Sequence, residues 1–232
     1  MESKILAIDT ASSACSVAAR IDGKTCARVF ERMSRGQSEA LVPMVMGVLS
    51  DLRMKLDVFD LIAVTRGPGA FTGLRIGLAT ARGLSLASNV PCFGVTTTQA
   101  IAEAAQDRGE VLAPLVVALD SKRSDIYIQV FNPEGCVLSD PEAIPIEGLR
   151  PRIDELSLTG PVRVVGDASD RVLSEMPEIC IKSDASEVPD AAFVAQLAER
   201  LYIPGTPINP PAALYLRPAD AALPKDGGRL RA

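Results

Sequence analysis

Histidine is missing from all 232 residues of this chain. The chain by itself therefore cannot supply Ser-His-Asp or Cys-His catalysis, an HExxH zinc helix or imidazole acid-base chemistry. Long apolar runs are also scarce: residues 111–119 are interrupted by Pro114 and fall well short of the ~20 residues a membrane span needs. Met1-Glu2-Ser3-Lys4 leads directly into Ile5-Leu6-Ala7-Ile8, too short for the apolar region of a secretion signal. A cytoplasmic protein is the expectation. The five cysteines are odd in number, far apart and free of CxxC pairs, unlike a disulfide framework or a zinc site, so reduced, packed thiols are expected. Positive charge is in deficit, with 24 Lys and Arg against 29 Asp and Glu and a net charge of −5. That argues against a free-standing nucleic-acid binder, whose affinity rests on phosphate contacts. If RNA is involved, another subunit supplies most of the positive field.

What is present is a globular composition, 47% hydrophobic and 23% charged, long enough to bury one large core or two small ones. Residues 5–9 form a short β-type run ending in Asp9, residues 15–21 a second, Asp22-Gly23 a hairpin turn, and Lys24–Arg32 a third strand. Helical patterning over Gln37–Leu52 precedes a buried strand at 59–65, the Arg66-Gly67-Pro68-Gly69 turn, a helix at 72–87, a strand at Cys92–Val95 and a helix at 97–106. The opening pattern then returns. Leu115-Val116-Val117-Ala118-Leu119-Asp120 matches Lys4-Ile5-Leu6-Ala7-Ile8-Asp9 without a gap, a strand at 126–131 follows, and Val162–Val165 enters a Gly166-Asp167 turn and a helix. The expected fold is a duplicated α/β protein with halves at 1–108 and 109–224, the second smaller and ending in a Pro-rich extended tail over 204–224. Residues 225–232 are expected to be disordered.

Three features invite a functional reading, each beside a structural one. The stretch Gly67 to Arg75, between strand and helix, offers backbone N–H groups to an anion. Its spacing fits neither a Rossmann fingerprint nor a P-loop, and close strand-helix packing explains the same glycines. Asp9, Thr10 and Asp120 stand at equivalent strand ends with Gly67, Gly69 and Gly73 nearby in the plan, giving a candidate nucleotide or phosphate site. The turns after both acids lack glycine, which speaks against strong ATP hydrolysis. Finally, helix 39–52 is apolar nearly all round, and helix 73–87 carries only Arg75 and Arg82 as charges. Such helices call for cover on a second face, either from a partner or from the rest of this chain.

Ile5-Leu6-Ala7-Ile8-Asp9-Thr10-Ala11 with Ala14-Cys15-Ser16-Val17-Ala18, the block Arg66 to Gly77, and later Gly94-Val95-Thr96-Thr97, Ala118-Leu119-Asp120 and Leu214-Tyr215-Leu216-Arg217 resemble the signature stretches of the TsaB (YeaZ) family. This resemblance implies an actin-like, ribonuclease H-like (ASKHA) fold of two mixed-sheet halves with flanking helices. It implies a non-catalytic scaffold or activator subunit in synthesis of threonylcarbamoyladenosine in tRNA, which binds and stabilises the catalytic subunit TsaD. The P-loop ATPase TsaE joins the complex, a separate synthase makes threonylcarbamoyl-adenylate, tRNA is met only through the complex, and the isolated chain forms a homodimer. No metal and no tightly bound cofactor are implied, beyond ATP or ADP with Mg at a complex interface. The implied partner surface is the helix pair, through Leu41, Met44, Val45, Val48, Leu52, Arg75, Leu78 and Arg82. The alternative is a weak nucleotide-binding ATPase or kinase-like enzyme of the same superfamily. One departure is Gln37, where many relatives carry histidine, and the stretch 142–187 matches only loosely.

Overall fold

The computed structural model describes residues 3–109, 112–158 and 160–217. Strands β1 (Lys4–Asp9), β2 (Ala14–Ile21) and β3 (Lys24–Arg32) form an antiparallel meander. Asp22 and Gly23 both take positive φ, 50° and 77°, the geometry that matches a two-residue hairpin to strand twist. Strands β4 (Leu61–Thr65) and β5 (Cys92–Val95) add parallel to β1, giving the order β3-β2-β1-β4-β5. The expected strand start at Phe59 moves inward, because residues Leu56–Val58 close a short 3-10 turn before it.

The second sheet repeats this plan. Strands β6 (Leu115–Asp120), β7 (Asp125–Phe131), β8 (Glu142–Pro145), β9 (Val162–Val165) and β10 (Cys180–Lys182) take the order β10-β9-β6-β7-β8, and the two β1-like strands occupy equivalent central places. The loosely matching stretch lost helix length rather than strands. Helices α1 (Gln37–Leu52) and α2 (Phe71–Ser88) run 16 and 18 residues, while their counterparts α4 (Leu149–Glu155) and α5 (Ser169–Glu175) have 7 each. Two mixed five-stranded sheets with flanking helices make this a duplicated actin-like fold.

Side-chain alternation along β1 explains the layering. Leu6 and Ile8 join Leu41, Val45, Val48 and Leu78 in a core beneath α1 and α2, whereas Ile5 and Ala7 face the opposite way, toward α6 (Ala191–Leu201). A strand buried on both faces reads as continuous apolar sequence rather than alternation. Helix α3 (Thr97–Asp107) lies against the second sheet and against α6, which itself returns to the first sheet. Alanines at 7, 18, 63, 100, 191, 195 and 198 let these layers approach closely. Both helices start with side-chain caps: Thr96 and Gln99 form a capping box on α3, and the Asp190 carboxylate accepts from the Ala192 N–H at 2.9 Å. Asp190 also takes a fork from Arg28 Nε, at 2.8 and 3.1 Å, fixing the start of α6 to strand β3.

From Pro204 the chain runs without regular elements, as its prolines lead one to expect, and Pro211 and Leu214 press it onto Gly94 and Gly67. The expectation for 225–232 lies outside the described residues. Cys15, Cys92 and Cys180 are buried, and burial pushes their thiols up to about 12, 12 and 11, so they are inert packing groups. Cys26 and Cys136 depart from that expectation and are exposed, because each sits at an outward position of an edge strand or turn.

Candidate functional site

Between the two sheets opens a cleft of about 1210 Å³. Its walls are the β1–β2 turn, the loop from Pro68 to Gly73, the Leu119–Arg123 segment, Tyr127, Asp167 and the tail from Leu214 to Arg217. Of the six residues expected to hold a phosphate, Gly69, Gly73 and Asp120 line this cleft; Asp9, Thr10 and Gly67 lie behind its wall.

The glycines there have a structural task. A Cβ on Gly69 would fall 2.3 Å from the Ala11 carbonyl oxygen, and one on Gly73 would fall 2.1 Å from that of Thr10. The Ala70 N–H donates to Ala11 O at 2.8 Å, and the Thr10 hydroxyl donates to Gly73 O at 2.7 Å. The loop thus packs backbone to backbone on the β1–β2 turn, which engages the Ala70 N–H, while the first turn of α2, Phe71 to Gly73, faces the cleft without a side-chain cap. Asp9 is fully buried: its Oδ1 accepts from Thr65 Oγ1 at 2.5 Å and from the Ala11 N–H at 3.2 Å, while Oδ2 has no partner. Burial pushes its carboxyl up to about 6 against the lowering effect of those two bonds, with the charge of Asp190 adding to the rise.

Asp120, the equivalent acid of the second half, is held differently. Its Oδ2 accepts from Lys122 Nζ at 3.0 Å, its Oδ1 accepts from the Lys122 N–H at 2.7 Å, and Arg171 lies 3.8 Å away. Burial works to raise this carboxyl, but the Lys122 bonds and the two cations outweigh it and hold it below the usual range. The ammonium also reaches Asp167 at 3.8 Å, so one lysine neutralises both acids on this wall. Among the described residues no group of three metal-ligating side chains comes together. Gln37 donates to Met33 O at 3.2 Å, joining the first turn of α1 to the end of β3.

The buried Asp9 gives a pH-dependent stability. With the native carboxyl near 6 and the unfolded one near 3.8, the native state holds its proton more tightly. The stability from this difference is complete below the unfolded value and is lost as pH rises through the native one. The loss should total about 3 kcal/mol. Asp9→Asn should flatten that slope, as read from urea unfolding between pH 4 and 7; an unchanged slope would place the titration elsewhere.

The helix pair needs a larger revision. Leu41, Met44, Val45, Val48 and Leu78, expected at a partner surface, are sealed in the core beneath α1 and α2, and Leu52 is half-buried against it. They are consumed by the sheet because their spacing follows the inward stripe of each helix. Arg75 and Arg82 do face outward. Beside them the sequence reading overlooked Val42, Met46 and Leu86, which are 50, 60 and 87% exposed. With Pro43, Ala79 and Gly83, also exposed, they make an outer face of low charge along both helices. On a helix apolar all round, the sequence alone cannot say which stripe meets the sheet.

The chain is similar over residues 29–142 to the family described as TsaD, tRNA N6-adenosine threonylcarbamoyltransferase. It is 39% identical over 124 residues to the tRNA threonylcarbamoyladenosine biosynthesis protein TsaB of Escherichia coli, covering 53% of each chain. The Haemophilus influenzae protein of that name is 32% identical over 123 residues, covering 53% of this chain and 51% of its own. The chain thus spans about half the length of the curated relatives it matches. In structure it resembles YeaZ from Pseudomonas aeruginosa, with a TM-score of 0.78 and 27% identity over 92% of this chain and 100% of that one. A further Pseudomonas aeruginosa structure, described as similar to peptidase YEAZ, gives 0.81 and 28% over 93 and 100%. The chain is similar to the TsaB (YeaZ) family in sequence and in structure. The TsaD-like stretch runs from β3 through α1 and α2 into the second sheet, ending at the start of β8. Among the described residues no helix is long and apolar enough to cross a membrane.

Proposed function

We propose that this chain is a non-catalytic scaffold subunit in the synthesis of threonylcarbamoyladenosine in tRNA, and that it holds a TsaD-type catalytic subunit through the outer face of α1 and α2. The names of its TsaB relatives support the pathway. The observation that carries the scaffold role is the outer face itself: Val42, Met46 and Leu86 stand exposed on two adjacent helices that carry few charges. Such a face is a protein contact surface when it is contiguous. The match to the TsaD family runs through both helices, so a TsaD-type partner would present a helix pair of similar shape. Two like faces can then pair about a pseudo-two-fold axis, and two copies of this chain can pair in the same way when the partner is absent. A TsaE-type ATPase would complete the assembly.

The chain contains no histidine, and of the two acids at equivalent strand ends Asp9 is buried and Asp120 is ion-paired. Both facts favour support of another subunit over bond chemistry. Met46→Glu and Leu86→Glu test the reading, since both side chains lie in solvent and the changes leave the core intact. Co-expressed with TsaD, the double variant should fold normally and lose at least tenfold in co-purified partner, with tRNA modification falling in parallel. Undiminished co-purification would move the contact elsewhere.

A further inference from the structure

We propose that the tail from Pro211 to Arg217 is a clasp: rooted on the first half of the fold, it reaches across the cleft and holds the second half at one separation through Arg217 and Asp125. The proposal does not rest on the scaffold reading, whose residues lie along the outer face of α1 and α2.

The halves have a permanent joint at one end of the cleft, built on α3. Ile101, Ala102 and Ala105 of that helix pack with Leu115, Val117 and Phe131 of the second sheet. Thr98 Oγ1 donates to Gln129 Oε1 of β7 at 2.5 Å. Thr97, the first residue of α3 and 1% exposed, marks the cleft floor. Two lobes joined at one end swing about that joint unless a second contact ties them. The tail is placed to be that tie, because Leu214 to Arg217 line the cleft.

Its root lies on the first half. Pro211 is buried against Gly94, where an added Cβ would fall 2.6 Å from Pro211 Cβ, and Leu214 rests on Gly67, where one would fall 2.7 Å from the Leu214 carbonyl oxygen. Two glycines thus make a seat that leaves no room for a side chain. The Leu214 N–H donates to Arg66 O at 2.6 Å, and Ala213 packs on the core beneath α1 and α2. Tyr215 follows, its ring 5.4 Å from that of Phe71, the first residue of α2. Its hydroxyl accepts from Arg75 Nε at 3.1 Å, and the Arg75 guanidinium lies 3.7 Å from the Phe71 ring centre. Arg75 is thereby spent on holding the tyrosine.

Two residues further on, the tail meets the other half. Arg217 Nη2 pairs with Asp125 Oδ2 at the start of β7, and the second oxygen of that carboxylate accepts from Ser121 Oγ at 3.1 Å. Asp125 is 3% exposed, so its charge has lost water and is compensated by the guanidinium. Swinging the halves apart would part this pair and leave a buried carboxylate uncompensated. The clasp therefore sets the width of the cleft. Because Tyr215 stands over Phe71, its release would also uncover the uncapped first turn of α2.

The chain carries its own probes for the test. Cys26 on β3 and Cys136 in the β7–β8 connection are exposed, one in each half, whereas Cys15, Cys92 and Cys180 are buried. Nitroxide labels on the exposed pair of the full chain report the separation of the halves by double electron-electron resonance. A single narrow distance is expected for the parent. Arg217→Met combined with Asp125→Asn cuts the tie without leaving a buried charge, and should broaden the distance distribution in a protein whose circular dichroism is that of the parent. Tyr215→Ala keeps both charges but removes the stack that aims Arg217, and should broaden it as well. The idea is overturned if the parent is already as broad as the variants, or if the combined variant keeps the narrow distance. Should the combined variant fail to fold, Tyr215→Ala decides, and an unchanged distance there overturns the clasp.

Discussion

Gly73→Ala should destabilise the isolated protein by roughly 2–4 kcal/mol, although alanine favours helix over glycine by about 1 kcal/mol. The added methyl carbon would stand 2.1 Å from the Thr10 carbonyl oxygen. No rotamer relieves this, because the colliding atom is backbone at the end of β1 and the new carbon is fixed to backbone in α2. Either the first turn of α2 moves away, losing the Thr10 hydroxyl bond to Gly73 O, or β1 distorts within the sheet. Gly83→Ala in the same helix is the matched comparison. Its Cβ meets nothing within 4 Å, so propensity alone acts and a gain of up to about 1 kcal/mol is expected. Chemical denaturation of the two variants should move the midpoint in opposite directions. A Gly73→Ala protein as stable as its parent would mean that the loop does not rest on the strand turn.

This contrast also shows where the sequence was sufficient and where it stopped. The repeat of strand, acid, turn and strand was visible because it is local: Leu115–Asp120 can be laid on Lys4–Asp9 residue by residue, and the central strands duly occupy equivalent places. The glycines of the Gly67–Gly73 stretch were visible too, but not which of two tasks they serve. That depends on a contact with Thr10 and Ala11, about 60 residues earlier in the chain. Strands β8 and β10 escaped notice because at 4 and 3 residues they are too short to show a period. Helix α6 carries one clear start signal, the Asp190 cap, but only 11 residues of pattern between Pro189 and Pro204. Tyr215 could be read as part of a tail motif, yet its neighbours Phe71 and Arg75 lie about 140 residues away and only the fold brings them together.

The sharpest test of the outer face sets neighbouring residues against each other. Val45→Glu should unfold the protein or cost it more than about 4 kcal/mol, since the side chain is 1% exposed in the core with Leu6, Ile8 and Val17. A carboxylate there has no partner to compensate its lost hydration, and even protonated it leaves hydrogen-bonding groups unmet. Met46→Glu, one position on, adds the same group to a side chain that is 60% exposed and should change stability by less than about 0.5 kcal/mol. Thermal unfolding of the isolated chain therefore separates the pair widely, while association with a helical partner is lost in both. Loss of association in Val45→Glu alone would reflect unfolding and say nothing of a contact. Loss in Met46→Glu, in a protein that melts as its parent does, can come only from the face that the sheet leaves uncovered.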